Sequence, residues 1–329
     1  MFITQIQQAR GFQVMGHSST VLNQVLQFIP GHVLKKVVKR YEGDKYVKKF
    51  SCRSLLTAVL YAQAEGLESI RDIVTAFDAH PEALYHLGMT KIKKSTIADA
   101  NRIRDFRIWQ DLFYELLERC ESLTPAHKFE FKNPLYSLDS TVIGLCLSIF
   151  PWAKYTQEKG ALKIHTLLNH RGNIPSFIVT SDGSKADITV AKETDFPLLP
   201  DSILTMDRGY LDFEYLRSLD RKRVFFVIRA KRGFAYKITG QHDIPNVKGL
   251  VADLSVRLTG VQTSLKYPGK LRVVRWHNEE FDYDLEFITN NFSLAASTIA
   301  AIYKNRWEIE TFFRWIKQNL KIKTFLGTS

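Results

Sequence analysis

The segment Tyr303-Lys-Asn-Arg306-Trp-Glu-Ile-Glu310-Thr-Phe-Phe-Arg-Trp-Ile-Lys317 spaces four chemically capable side chains for one helical face. At about 100° per residue, Tyr303, Arg306, Glu310 and Lys317 fall within roughly 60° of one another. Ile309, Phe312, Phe313, Ile316 and Leu320 form the adjoining apolar sector. A carboxylate flanked by a phenol, a guanidinium and an ammonium suits a phosphodiester. The acid can hold a divalent cation while the basic groups pair with phosphate oxygens. The same spacing also serves a surface helix in which Arg306–Glu310 is an ordinary i,i+4 ion pair. Glu308 is the rival acid, and it points about 160° away on the wheel.

Asp139 and Asp207 each sit at or just past an apolar strand candidate, residues 135–145 and 202–206. There a short acidic side chain can emerge at the sheet edge beside another strand's. Two aspartates and a glutamate converging would make a hard, all-oxygen site suited to Mg²⁺ or Mn²⁺. Two such ions about 4 Å apart can activate a water or a 3′-hydroxyl for in-line displacement at phosphorus. A strand-end aspartate is also an ordinary turn or cap residue, so convergence is what the fold must supply. Lys163 and His165 are further candidates to face that site, whereas Asp182 and Asp187 read as caps. The nine histidines lack metal-ligand spacing, so zinc is not expected. Without a GxxxxGK[ST] loop, neither is nucleotide hydrolysis.

The positioning elements fall into two patterns. Residues 19 to about 122 repeat apolar positions at helical spacing, and Thr96-x-x-Asp99 resembles a capping box opening a helix through Leu117. Short helices with a basic start suit helix-turn-helix-like DNA binding, as they suit any helical domain. Beyond Pro125 the order is strand–strand–strand–helix–strand–helix–strand, followed by β-leaning runs at about 230–290 and a helix from Ser293 to about Leu320. We therefore expect a helical DNA-binding region over 1–125 and an α/β region over 126–329. The order of elements is compatible with a ribonuclease-H-like mixed sheet with a β-rich insertion at about 230–290, and periodicity alone does not select this fold over other α/β arrangements.

Charge names the partner class. Lys and Arg number 46 against 34 Asp and Glu, a formal net charge of +12. Residues 1–50 carry half of that excess, and further clusters lie at 91–107, 221–232 and 314–323. Concentrated positive charge favours a polyanion, with nucleic acid the first candidate. No apolar run approaches the ~20 residues that span a bilayer. The amino terminus lacks a secretory signal. Three widely spaced cysteines exclude a disulfide framework and fit a reducing cytosol.

The spacing Tyr-x2-Arg-x3-Glu-x6-Lys resembles the YREK signature of bacterial insertion-sequence DDE transposases of the insertion-sequence-four group. Leu138-Asp139-Ser140-Thr141 and Met206-Asp207-Arg208-Gly209-Tyr210 are similar to that group's acidic motifs. The helical part from Gly16-His-Ser-Ser is similar to the accessory domain of one branch. The resemblance implies that Asp139, Asp207 and Glu310 hold two Mg²⁺ or Mn²⁺ ions, and that Tyr303, Arg306 and Lys317 contact phosphates of the transposon end. Arg208 is grouped with these DNA contacts. Trp276, between Arg275 and His277, is the candidate for holding a flipped base, with a core tryptophan as its alternative. Implied partners are double-stranded DNA, both terminal inverted repeats and target, and a second copy of the chain in a synaptic homodimer. No nucleotide cofactor and no membrane are expected; the implied location is the cytoplasm, at the nucleoid. Two other readings are a metal-dependent nuclease that cuts without joining, and a truncated DNA-binding remnant, since the chain stops about nine residues after the signature helix.

Overall fold

The computed structural model describes residues 21–145, 160–231, 233–278 and 282–319. Cys146, Leu320, the Gly16-His-Ser-Ser start and the end of the last basic cluster lie outside them. The chain divides into two compact units at Leu116/Leu117.

The helical region comprises α1 (Val21–Gln27), α2 (Gly31–Arg40), α3 (Cys52–Ala64), α4 (Ile70–Ala79), α5 (Pro81–His86), α6 (Lys94–Ile103) and α7 (Arg107–Leu123). Serine caps open two of them. Ser51 accepts from the Ser54 amide and Ser69 from the Asp72 amide, each satisfying an end N–H that would otherwise lack a partner. The expected capping box does not form. Helix α6 starts at Lys94, ahead of Thr96, and ends before Arg104, whose extended backbone separates it from α7. The Arg104 guanidinium donates to the Phe50 carbonyl at 2.8 Å, a distant contact that local spacing cannot report.

Part of the basic charge is used internally. Lys36 pairs with Glu115 at 2.7 Å and Arg40 with Asp111 at 2.5 Å, tying α2 to α7. Lys35, Lys39, Lys48, Lys49, Lys93 and Lys94 stay exposed.

The second unit is built on a mixed sheet. Its elements are β1 (Leu135–Leu145), β2 (Gly160–Asn169), β3 (Ile174–Asp182), α8 (Asp187–Glu193), β4 (Ile203–Met206), a 3-10 turn (Arg208–Tyr210), α9 (Phe213–Arg221), β5 (Phe225–Arg229), β6 (Tyr236–Gln241), β7 (Leu250–Leu258), α10 (Val261–Lys266), β8 (Leu271–Asn278), β9 (Tyr283–Thr289), α11 (Ala296–Asn305) and α12 (Trp307–Asn319). The strand order is β3-β2-β1-β4-β5-β9-β8-β7-β6. Strands β1–β3 run antiparallel, and β4 and β5 join β1 in parallel. This is the ribonuclease-H-like core that the sequence predicts. All four residues of β4 are buried, as suits a central strand covered on both faces.

The 230–290 segment is β-rich as expected, but its strands extend the same sheet instead of standing apart. Strand β9 pairs antiparallel with β5. The two faces bury different partners. Leu138, Leu167, Met206 and Phe226 pack with Tyr210, Tyr215 and Leu216. Leu135, Ile203 and Val227 pack with Ile299 and Ile302 of α11.

The final helix also departs from the sequence reading. It begins at Ala296, because Ser293 is held in a turn by the Asn291 side chain. It then breaks at Arg306 into α11 and α12. Backbone bonds from Arg306 N to Tyr303 O and from Ile309 N to Arg306 O, both 3.1 Å, tighten this junction.

Candidate active site

Leu138 pairs with Met206 across parallel strands β1 and β4. Asp139 and Asp207 each follow this last paired position, Asp139 within β1 and Asp207 just past β4, near enough for Asp207 to act electrostatically on Asp139. Ile228 pairs with Met206 on the other side, which brings Arg229 alongside Asp207. Asp207 follows β4 and Arg229 ends β5, whereas Asp139 lies in the middle of β1, which runs on to Leu145, and not at the strand end that the sequence suggests. Asp207 caps the 3-10 turn by accepting from the Gly209 amide at 2.7 Å. Arg208, next to it, is exposed.

Glu310 arrives from α12. Ile309 and Phe313 bury against Leu168 on β2. Each such burial is worth about 2 kcal/mol, more than the ~0.5 kcal/mol of an exposed ion pair, so the apolar anchors set where α12 lies. With the helix docked, Arg306 reaches both acids. Its Nη1 donates to Asp139 Oδ2 at 3.0 Å and its Nη2 to Glu310 Oε1 at 2.7 Å. The i,i+4 pair foreseen for a surface helix is therefore present, but it is largely buried and extended to a third residue. Burial raises the Asp139 pKa to about 6, opposed by Arg306 and the Ser140 amide and reinforced by Asp207 and Glu310.

The other signature residues are distributed around this point. Tyr303, on α11, packs against Phe287 with ring centroids 4.6 Å apart and tilted by 33°, and the Arg306 guanidinium lies 5.7 Å from the Tyr303 ring centroid. Lys317 is exposed on α12, about two turns beyond Glu310. Glu308 meets Asn173 instead, at 3.4 Å.

Trp276 packs with Leu250, Val274 and Phe287, and lies so close over Gly249 that a Cβ there would sit 2.8 Å from the indole. Gly249 also has φ +88°, which a side chain would strain. The ring is thus half-buried, packed against the core beside α11.

Lys163 and His165 face away from Asp139. Ser140 projects to the opposite side of β1, pairs with His165 and donates to Asp187 at 2.6 Å, while Lys163 approaches the same carboxylate at 3.3 Å. Asp187 thus binds side chains across the sheet as well as opening α8.

Sequence reasoning missed the link that seats the α11–α12 junction. His170 Nε2 lies 2.6 Å from Ser137 Oγ, and Asn305 Nδ2 donates to His170 Nδ1 at 2.7 Å. A second proton would set N–H against N–H. Burial, aided by His127 and Lys128, holds the His170 pKa down at about 4, below the usual ~6.5. The neutral ring stabilises the fold fully above pH ~6.5, and that contribution is lost as pH falls toward 4, by up to about 1.4 kcal/mol per unit. His165, also held near 4 by burial, adds a separate share. In urea unfolding, His170→Gln should have a visibly shallower loss of stability between pH 6.5 and 4; an unchanged slope counts against this assignment.

Asp139, Asp207 and Glu310 offer the hard oxygen donors that a divalent cation requires. Among the described residues no three acidic, imidazole or thiol groups form a closed metal cluster. A guanidinium stands between Asp139 and Glu310, and two partly buried carboxylates on one positive group are chemically suited to a cation. Arg229 is the other cation overlooked, although it ends its apolar run much as Asp207 follows one. No described helix is long and apolar enough to cross a membrane.

Residues 130–328 match the family model for the transposase DDE domain, and residues 17–90 match a domain of unknown function (DUF4372). A probable transposase for insertion sequence element IS5377 of Geobacillus stearothermophilus is 25% identical over 96% of this chain and 80% of its own length. A putative transposase, y4zB, of Sinorhizobium fredii is 29% identical over 71% of this chain and 64% of its own. A solved piggyBac transposase synaptic complex with hairpin DNA aligns with a TM-score of 0.47 and 12% identity, over 91% of this chain and 69% of that one.

Proposed function

Because the chain belongs to the transposase DDE domain family, we propose that it is a metal-dependent DNA transposase acting on the terminal inverted repeats of its own element. It binds double-stranded DNA at those repeats, pairs two ends as a homodimer, cuts a phosphodiester at each end, and joins the freed 3′-hydroxyl to target DNA. It works in the cytoplasm, at the nucleoid.

The observation that carries this reading is the meeting of Asp139 and Asp207 at adjacent parallel strands, with Arg306 joining Asp139 to Glu310. These acids would hold Mg²⁺ or Mn²⁺, two ions per site. The bound metal would supply Lewis-acid stabilisation of charge at phosphorus and a more acidic attacking oxygen. The chain's own part is to place oxygens in the middle of the sheet, beside the end of β4, and to set Arg306 among them.

Tyr303, Arg306, Lys317 and Arg208 are assigned to phosphates near the cut. The exposed lysines of residues 1–125 are assigned to the repeats, where phosphate contacts make affinity fall steeply with salt. Trp276 keeps the base-holding role only if its half-buried ring is released from Gly249.

The test uses the DNA flanking the gene. An end-labelled duplex carrying the inverted repeat, incubated with protein, Mg²⁺ and target DNA, should give cut and joined products. Nicking without joined product replaces this reading with a nuclease, and no end-specific binding overturns it altogether.

A further inference from the structure

Arg306 has properties beyond those of a phosphate contact. Its side chain is 12% exposed and spans two carboxylates from different elements, Asp139 on β1 and Glu310 on α12. Its Nε is buried without a hydrogen-bond partner among the described residues. A guanidinium in this position supplies positive charge where two partly desolvated acids meet, as a divalent ion coordinated by them would. Both draw on the same negative charge at Asp139, so they compete for its carboxylate.

We propose that Arg306 is the resident counter-cation of the carboxylate site, and that a divalent ion taking Asp139 displaces it from that carboxylate. The inference rests on the metal role assigned above to Asp139, Asp207 and Glu310. Before the ion enters, the guanidinium keeps the acids from repelling one another and holds the start of α12 to the sheet. Afterwards Arg306 keeps Glu310 through Nη2, while the released Nη1 becomes a donor for a phosphate oxygen. Metal loading and phosphate grip are thereby ordered, with the ion first.

The experiment measures Mn²⁺ binding without DNA, by electron paramagnetic resonance of the free ion, on the full chain and on R306Q, R306K and D139N. With its competitor removed, R306Q should bind Mn²⁺ about tenfold tighter, equivalent to about 1.4 kcal/mol. Its melting temperature should also rise more on adding Mn²⁺ than that of the parent. R306K keeps one charge but cannot fork across two carboxylates, so it should show a smaller gain; it also serves if R306Q fails to fold without metal. Mn²⁺ affinity that is unchanged or weaker in both Arg306 variants overturns this inference alone. Mn²⁺ binding that D139N leaves intact, or no binding by the parent chain, overturns the metal reading of the site and this inference together.

Discussion

Asp139→Asn, Asp207→Asn and Glu310→Gln should each lower Mg²⁺-dependent cleavage of a labelled element end by at least about a thousandfold. The magnitude follows from losing several kcal/mol of transition-state charge stabilisation at about 1.4 kcal/mol per tenfold. The amide keeps shape and an acceptor: at position 139 its carbonyl oxygen can still receive the Ser140 N–H that now reaches Asp139 Oδ1 at 2.8 Å. What disappears is the anionic oxygen. Binding to the ends should survive within a few-fold, because it draws on Lys and Arg contacts with phosphate that these changes leave in place. Gel-shift and cleavage assays on the same preparations separate the two effects. Retained cleavage in any one variant removes that residue from the acidic set, and lost binding in all three would show that the changes act through folding instead.

Asp207 and Glu310 were the most legible part of the site because their positions follow local rules. The run from Ile203 to Met206 is apolar except for the small Thr205 and buried throughout, which marks a doubly covered strand followed by a charged residue that leaves the core. Asp139 does not obey that rule, since β1 continues past it to Leu145; its place beside the end of β4 comes from the β1–β4 register. Glu310 was fixed by spacing within one helix, where Ile309 and Phe313 mark the buried side.

Other features depend on partners far along the chain. Nothing in Lys304-Asn305-Arg306 disfavours a helix, yet the helix breaks there. Asn305 is drawn to His170, 135 residues away, and Arg306 to Asp139, 167 residues away. The wheel places Tyr303 on the same straight helix as Glu310, whereas Tyr303 belongs to α11 and Glu310 to α12, which meet at Arg306. The β-rich stretch was legible as strands, whereas its fusion to the core was not. Pairing of Val227 with Thr289 is a register between distant segments, and alternation within either one is silent about it.

Arg272→Met should cause the largest loss of stability, about 3–5 kcal/mol, because it strands a buried charge. Arg272 grips Asp253 with two bonds, Nε to Oδ1 at 2.7 Å and Nη2 to Oδ2 at 2.6 Å, and both side chains are almost fully enclosed. Its Nη1 also donates to the carbonyls of Leu294 at 2.6 Å and Asn291 at 3.1 Å. One guanidinium thus ties β7 and β8 to the loop that delivers α11, and through α11 the helix bearing Glu310. Removing it leaves Asp253 buried with no cation and two carbonyls short of a donor. The double variant Arg272→Met with Asp253→Leu removes the orphaned charge and should recover most of the loss, leaving about 1–2 kcal/mol for the unpaired carbonyls. Urea unfolding followed by circular dichroism measures both. A single variant within about 1 kcal/mol of the parent would mean that water reaches Asp253. A double variant as unstable as the single would place the cost in the loop's carbonyls, making Arg272 chiefly the anchor of α11 and only secondarily the partner of Asp253.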